Sequence, residues 1–144
     1  MQIDHVAIAV ASVEDAADRL CSLLGYARKT QKVTNHRQRV HVLFLHKAGS
    51  IDLKLVEPDG VDSPLTAFVR KGGGLHHLCF RVPDVANSVE SLSAMGARVL
   101  ASPEPGEAFD DRLIAFCYLG FGLNVELIDT DLRRALLPID AKKS

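Results

Sequence analysis

No apolar run in this chain is long enough to cross a membrane as a helix, and those present are short and interrupted by charge. No basic-then-apolar leader precedes the first strand-like stretch, so the expectation is a cytoplasmic protein without a membrane partner. Cysteine is scarce: Cys21, Cys79 and Cys117 are odd in number, share no paired spacing and sit in apolar patterns. They read as reduced core residues rather than a disulfide framework. Acids are missing from one long stretch, between Asp18 and Asp52, where Arg19, Arg28, Lys29, Lys32, Arg37, Arg39 and Lys47 all fall. Such a stretch is either a solvated edge of strand and loop or a patch for an anionic ligand, a phosphate or carboxylate. A nucleic-acid partner is not expected: the formal net charge is −1.

What the chain does have is an internal echo. Leu75-His76-His77-Leu78-Cys79-Phe80-Arg81-Val82 reads as a strand between a glycine triplet and Pro83-Asp84, with its adjacent histidines expected on opposite faces. Ile3-Asp4-His5-Val6-Ala7-Ile8-Ala9-Val10 repeats it, His5 standing 72 residues before His77. Val10 and Val82, Val13 and Val85, Leu20 and Leu92, and Phe44 and Phe116 keep the same offset. Residues 50–57 lie over 122–129 without a gap. The chain therefore reads as one domain, 1–144, built from two copies of a unit (1–72 and 73–130) with a tail (131–144). Each copy is too small to bury a good core alone, so the two should pack together.

Each copy has the order strand, helix, three strands. Strands are expected at 2–10, 26–33, 38–46 and 50–57, and again at 75–82, 97–101, 111–118 and 122–129. Helices are expected from Ser12, an N-cap, to Gly25, and over 84–95. A short helix near 63–70, a loop from Ser102 to Asp110 able to cover a site, and a tail with a short helix and a frayed Lys-rich end complete the expectation. The fold class is α+β: paired βαβββ modules forming a cup-shaped mixed β-sheet, with helices outside.

Alternation then selects the polar residues inside the cup. If Leu123, Val125 and Leu127 face the helices, Asn124 and Glu126 face the cup; by the same parity Asp52 and Lys54 do so in the first copy. His5 and His77 should meet near the pseudo-axis. Two histidines and a carboxylate on neighbouring strands form a set that binds metal. Symmetry asks for a fourth ligand 72 residues before Glu126, and Lys54 stands there, ordinarily a protonated side chain and a poor ligand. Either His5, His77 and Glu126 hold the metal without it, or the Lys54 ammonium replaces the metal as the cationic element.

The repeat, the histidine near the start of each half and the terminal "VELID" strand resemble the vicinal oxygen chelate superfamily of glyoxalases, bleomycin-resistance proteins and extradiol dioxygenases. Within it, "IDHVAIAV", "LVEPDGVDSPLTAFVRKGGGLHHLCFRV" and "GLNVELID" look most like methylmalonyl-CoA epimerase-like proteins. The resemblance implies a divalent metal (Co, Ni, Zn, Mn or Fe) on His5, His77 and Glu126. The family's remaining ligand is usually Glu or Gln, and here it is Lys54. Some epimerases carry a glutamate on the strand that here reads "RVHVLFL"; His41 or Val42 stands at that place, which makes His41 a candidate base beside Glu126 and Lys54. A homodimer is implied by the same analogy.

Three functions follow. The first is a metal-dependent isomerase, epimerase or lyase acting on a small carbonyl or acyl-CoA substrate through an enolate-like intermediate. The second is a metal-free small-molecule binding or resistance protein centred on Lys54. The third is an Fe(II) or Mn(II) dioxygenase-type or thiol-transfer enzyme using the His-His-Glu set.

Overall fold

The computed structural model describes residues 1–138. The first half runs β1 (Gln2–Ala9), α1 (Val13–Leu24), β2 (Ala27–Arg28), β3 (Val33–Asn35), β4 (Val40–His46) and β5 (Asp52–Pro58). After α2 (Thr66–Arg70) come β6 (Gly74–Arg81), α3 (Val85–Ala94), β7 (Arg98–Gly106), a 3-10 turn at Glu107–Phe109, β8 (Arg112–Tyr118) and β9 (Asn124–Ile128).

The helix ends follow from local chemistry. Ser12 Oγ accepts the Asp15 N–H at 3.2 Å, and Gly25 leaves α1 in a left-handed conformation. Asp84 Oδ1 caps α3 through the Asn87 N–H at 2.8 Å. Side-chain caps of this kind contribute about 1 kcal/mol each.

The nine strands of the described residues join one mixed, open sheet in the order β2-β4-β5-β1-β6-β9-β8-β7, with β3 on the edge of β4. The centre is the antiparallel pair β1–β6; on either side β1 pairs β5 and β6 pairs β9, both parallel. One face carries the helices. Val13 and Ala17 of α1 pack on Leu43, Leu45, Leu53 and Leu55, and Val85 and Val89 of α3 pack on Ala115, Cys117, Val125 and Leu127. The other face is the cup, whose apolar lining includes Ala7, Ala9, Val42, Phe44, Val56, Cys79, Phe109 and Ile114. Its two ends approach one another: Gln38 Nε2 donates to Glu104 Oε1 at 3.0 Å, and the Ala108 N–H to Asn35 Oδ1 at 2.8 Å.

Three expectations change. The stretch 26–33 is not one strand; two short edge strands, β2 and β3, are separated by residues 29–32, where Thr30 makes an isolated bridge to Leu136. The segment 102–106 is not loop but the continuation of β7, which pairs on to β8 through Glu104–Ile114 and Pro105–Leu113 after a register shift. The prolines fit there because β7 lies at the edge of the sheet, with β8 its one partner strand among the described residues. The tail forms no helix among the described residues; residues 131–138 turn back, and Leu136 bridges Thr30. The Lys-rich end lies outside the described residues.

Two irregularities in the β1–β6 ladder position the site. Pairing passes from Ile3–Phe80 to His5–Cys79, leaving Asp4 unopposed, and from Ala7–His77 to Ile8–Leu75, leaving His76 unopposed. Each is a one-residue bulge, which breaks strict alternation and re-aims a side chain. The start of β6 is also fixed from outside: Gly73 has φ +66°, and a Cβ there would lie 2.4 Å from the Ala9 carbonyl oxygen.

Candidate active site

The floor of the cup gathers His5, Lys54, His77 and Glu126, none more than 5 % exposed. Parity along β1, β5, β6 and β9 aims all four at one point. His5 Nε2 lies 3.1 Å from Glu126 Oε1, and Lys54 Nζ donates to both Glu126 oxygens at 3.1 Å. His77 Nε2 stands 3.4 Å from Oε1 without the alignment of a hydrogen bond and has no other partner among the described residues. The rings of His5 and His77 meet edge-on at 6.3 Å between centroids.

The bulged residues complete the shell. Asp4 Oδ1 lies 2.7 Å from His5 Nδ1, and His76 Nδ1 lies 2.8 Å from His77 Nδ1. Each site histidine is thus held at Nδ1 by the residue before it, and those two residues are themselves 72 apart. The bulge at His76 corrects the expectation of opposite faces: His76 and His77 both line the cavity. Asp4 is bound in turn by Arg81 and by Arg133, which reaches back from the tail. The Arg133 guanidinium lies 4.8 Å from the centre of the Phe44 ring and 4.7 Å from that of Phe109. Phe109 also stacks on His5.

Charge follows burial. Burial pushes the Glu126 carboxyl up, but the Lys54 ammonium and the His5 and His77 imidazoles outweigh it and hold the group well below the usual carboxylate range. Burial likewise opposes ionisation of Asp4, yet the contacts with His5, Arg133 and Arg81 hold it well below that range. Burial dominates at His77, pushed down to about 4, and lowers His76 as well.

Above this floor opens a cavity of about 610 Å3. Val56, Leu65, Ile114 and Phe116 give it apolar walls, and Arg37, Arg39, His76 and Glu104 add polar ones. His41 is not brought to it. Its neighbours Val40 and Val42 face the cup, and His41 points to the other side, against Thr34 Oγ1 at 2.9 Å and Asp59 at 3.3 Å. Asp52 shares the parity of Lys54 but lies at the strand's start, bound to Lys29 and His46. The acid-free stretch does not form one patch: Arg28 pairs with Glu14 and Asp18, Lys29 with Asp52, and Lys32 with Glu57, leaving Arg37 and Arg39 at the cavity.

The donor atoms of His5, His77 and Glu126 all lie within 4.8 Å of one another, close enough to share one divalent ion. Lys54 opposes that use. An ion at the usual ~2 Å from a Glu126 oxygen would sit within about 5 Å of Nζ, a repulsion of roughly 7 kcal/mol at an effective dielectric of about 20. The negative charge that an ion would neutralise is already paired. With Lys54 in place the residues do not fit a resident metal.

Asp4, His76, Glu104 and Arg133 were not among the residues singled out from sequence. The 72-residue spacing of Asp4 and His76 was the available signal; for Arg133 there was none.

Among curated proteins, the chain is 35% identical over 116 residues to the uncharacterized protein YqjC of Bacillus subtilis, covering 80% of this chain and 81% of that protein. It is 36% identical over 107 residues to the ethylmalonyl-CoA/methylmalonyl-CoA epimerase of Cereibacter sphaeroides, covering 72% and 78%. Among solved structures, methylmalonyl-CoA epimerase from Mycobacterium tuberculosis superposes with a TM-score of 0.78 at 27% identity, covering 88% of this chain and 86% of that one. A methylmalonyl-CoA epimerase in complex with methylmalonyl-CoA and NH4+ superposes with a TM-score of 0.76 at 25% identity, covering 95% and 98%. Residues 4–116, from the Asp4 bulge beneath the site to Phe116 on its wall, match one family as a unit, and by that match the chain belongs to the Glyoxalase/Bleomycin resistance protein/Dioxygenase superfamily.

Proposed function

We propose that the protein is an epimerase-like isomerase acting on an acyl-CoA thioester with an acidic α-hydrogen, of the methylmalonyl-CoA kind. The observation that carries this reading is the placement of a buried ionic cluster at the floor of an apolar-walled cavity. Removing an α-proton puts negative charge on the thioester oxygen. A water-poor site with fixed positive charge stabilises that oxygen far better than water does.

The rest of the cavity suits the same substrate. Arg37 and Arg39 offer guanidinium groups to a substrate carboxylate or to CoA phosphates. His76 and Glu104 lie on β6 and β7, three strands apart in the sheet, and both line the cavity. They are the groups assigned to take the proton from one face of the α-carbon and return it to the other. The relatives named epimerases favour this reading over a dioxygenase or a resistance-type binding protein. One solved epimerase carries methylmalonyl-CoA together with an ammonium ion, and Lys54 gives this chain an ammonium group of its own.

The test is α-proton exchange. In deuterium oxide, the enzyme is expected to exchange the α-hydrogen of methylmalonyl-CoA and to interconvert its epimers, followed by NMR and by a stereospecific coupled assay. Neither exchange nor inversion with methylmalonyl-CoA or ethylmalonyl-CoA would overturn the reading.

A further inference from the structure

We propose that Lys54 is the resident cation of this site: its ε-ammonium occupies the place of a divalent ion, excludes that ion, and is the catalytic residue facing the substrate's oxyanion. The exclusion stands on geometry alone; the catalytic half rests on the isomerase reading above.

Four observations carry it. Lys54 stands 72 residues before Glu126, so the repeat delivers it to the position symmetric with the one carboxylate of the cluster. Its Nζ contacts both oxygens of that carboxylate, leaving neither free of a cation. Among the described residues it is the only lysine or arginine within 4.0 Å of Glu126, because Arg81 and Arg133 are committed to Asp4. Finally, Lys54 is buried yet lines the cavity, and its ammonium has three N–H donors, one more than its two contacts with Glu126 use.

The chemistry balances without a metal. The α C–H bond breaks and the proton passes to the base. The electron pair of that bond forms a C=C bond, and the carbonyl π pair moves onto the thioester oxygen. Lys54 keeps its proton and donates a hydrogen bond to that oxygen. When a proton returns to the opposite face the pairs move back, and nothing is consumed.

The experiment compares the full-length wild type with Lys54→Gln, both freed of metal by chelation, confirmed folded by thermal melting, and titrated with Co2+. Visible absorption and calorimetry report binding. The wild type is expected to bind no stoichiometric cobalt, and Lys54→Gln to bind one ion per chain through His5, His77, Glu126 and the new amide oxygen. One Co2+ bound by the wild type overturns the proposal, and so does a folded Lys54→Gln protein that gains none. Should Lys54→Gln not fold, the wild-type titration decides alone. In the second arm, wild-type exchange of the α-hydrogen of methylmalonyl-CoA is expected to be unchanged by EDTA, while Lys54→Met loses it by about 100-fold or more. Exchange that requires added metal overturns the proposal and leaves the isomerase reading standing. No exchange under any condition removes the isomerase reading, while the cobalt titration still decides whether Lys54 excludes the metal.

Discussion

Lys54 and Glu126 hold the same place in the two halves of the chain, and their side chains meet: Nζ lies 3.1 Å from each carboxylate oxygen, with both groups out of water. A buried pair of this kind is costly to break from one side, because the partner left behind is an uncompensated charge. Lys54→Met and Glu126→Leu are each expected to lose about 3–5 kcal/mol in urea denaturation. The double variant should lose much less than the sum, since no charge is stranded. Single costs below about 1 kcal/mol, or simple additivity, would show that the two charges are not coupled.

The fold was legible because the chain repeats itself. The 72-residue offset and the alternation at Glu126 and Lys54 were enough to place four strands around one floor and to choose the inward-facing side chains. His41 shows where the sequence leaves parity open. The family's glutamate position fell on His41 or Val42, and only the observed packing of Val40, Val42 and Phe44 in the cup sends His41 outward. The bulges were invisible for a related reason. Alternation assumes an unbroken ladder, and one unopposed residue at Asp4 or His76 changes a face without changing the residue pattern. Arg133 was unreadable because its contacts with Asp4, Phe44 and Phe109 depend on how the tail returns across the cup, which no local periodicity encodes.

Stability should depend on pH through His77. Burial pushes its imidazole from 6.5 down to about 4 in the folded protein. Between these values the unfolded chain binds a proton that the folded chain does not, so this contribution is full above about pH 6.5 and is lost as pH falls toward 4. At about 1.4 kcal/mol per pH unit, the loss is roughly 3 kcal/mol. Urea denaturation from pH 7 to pH 4 in EDTA should show this decline, and His77→Gln should flatten it by about one proton's worth. An identical slope in the variant would mean that His77 is not buried as a neutral ring.

Arg133 ties the tail to the site. It lies between Phe44 and Phe109, donates to Asp4 and through it bears on the orientation of His5. Arg133→Met keeps most of the apolar contact but strands part of the Asp4 charge, leaving Arg81 as its remaining guanidinium partner. The expected cost is about 2–4 kcal/mol in denaturant, smaller than for Lys54→Met because Asp4 keeps that partner. Arg81→Met, at a position with 42 % side-chain exposure, should cost about 1 kcal/mol or less. Equal costs at the two positions would contradict the burial argument.

Inversion at a carbon requires a proton acceptor on one face and a proton donor on the other. If His76 and Glu104 divide these roles, removing either should cut epimerisation by about 100- to 10,000-fold and leave the fold intact, since neither belongs to the buried ionic pairs. The partial reaction separates them. In deuterium oxide, His76→Gln should still exchange the α-hydrogen of one epimer, by way of Glu104, without producing the other. Glu104→Gln should exchange the opposite epimer, by way of His76. NMR of each epimer with each variant reads this directly. If both variants exchange both epimers as the wild type does, the proton is carried by another group on the cavity wall.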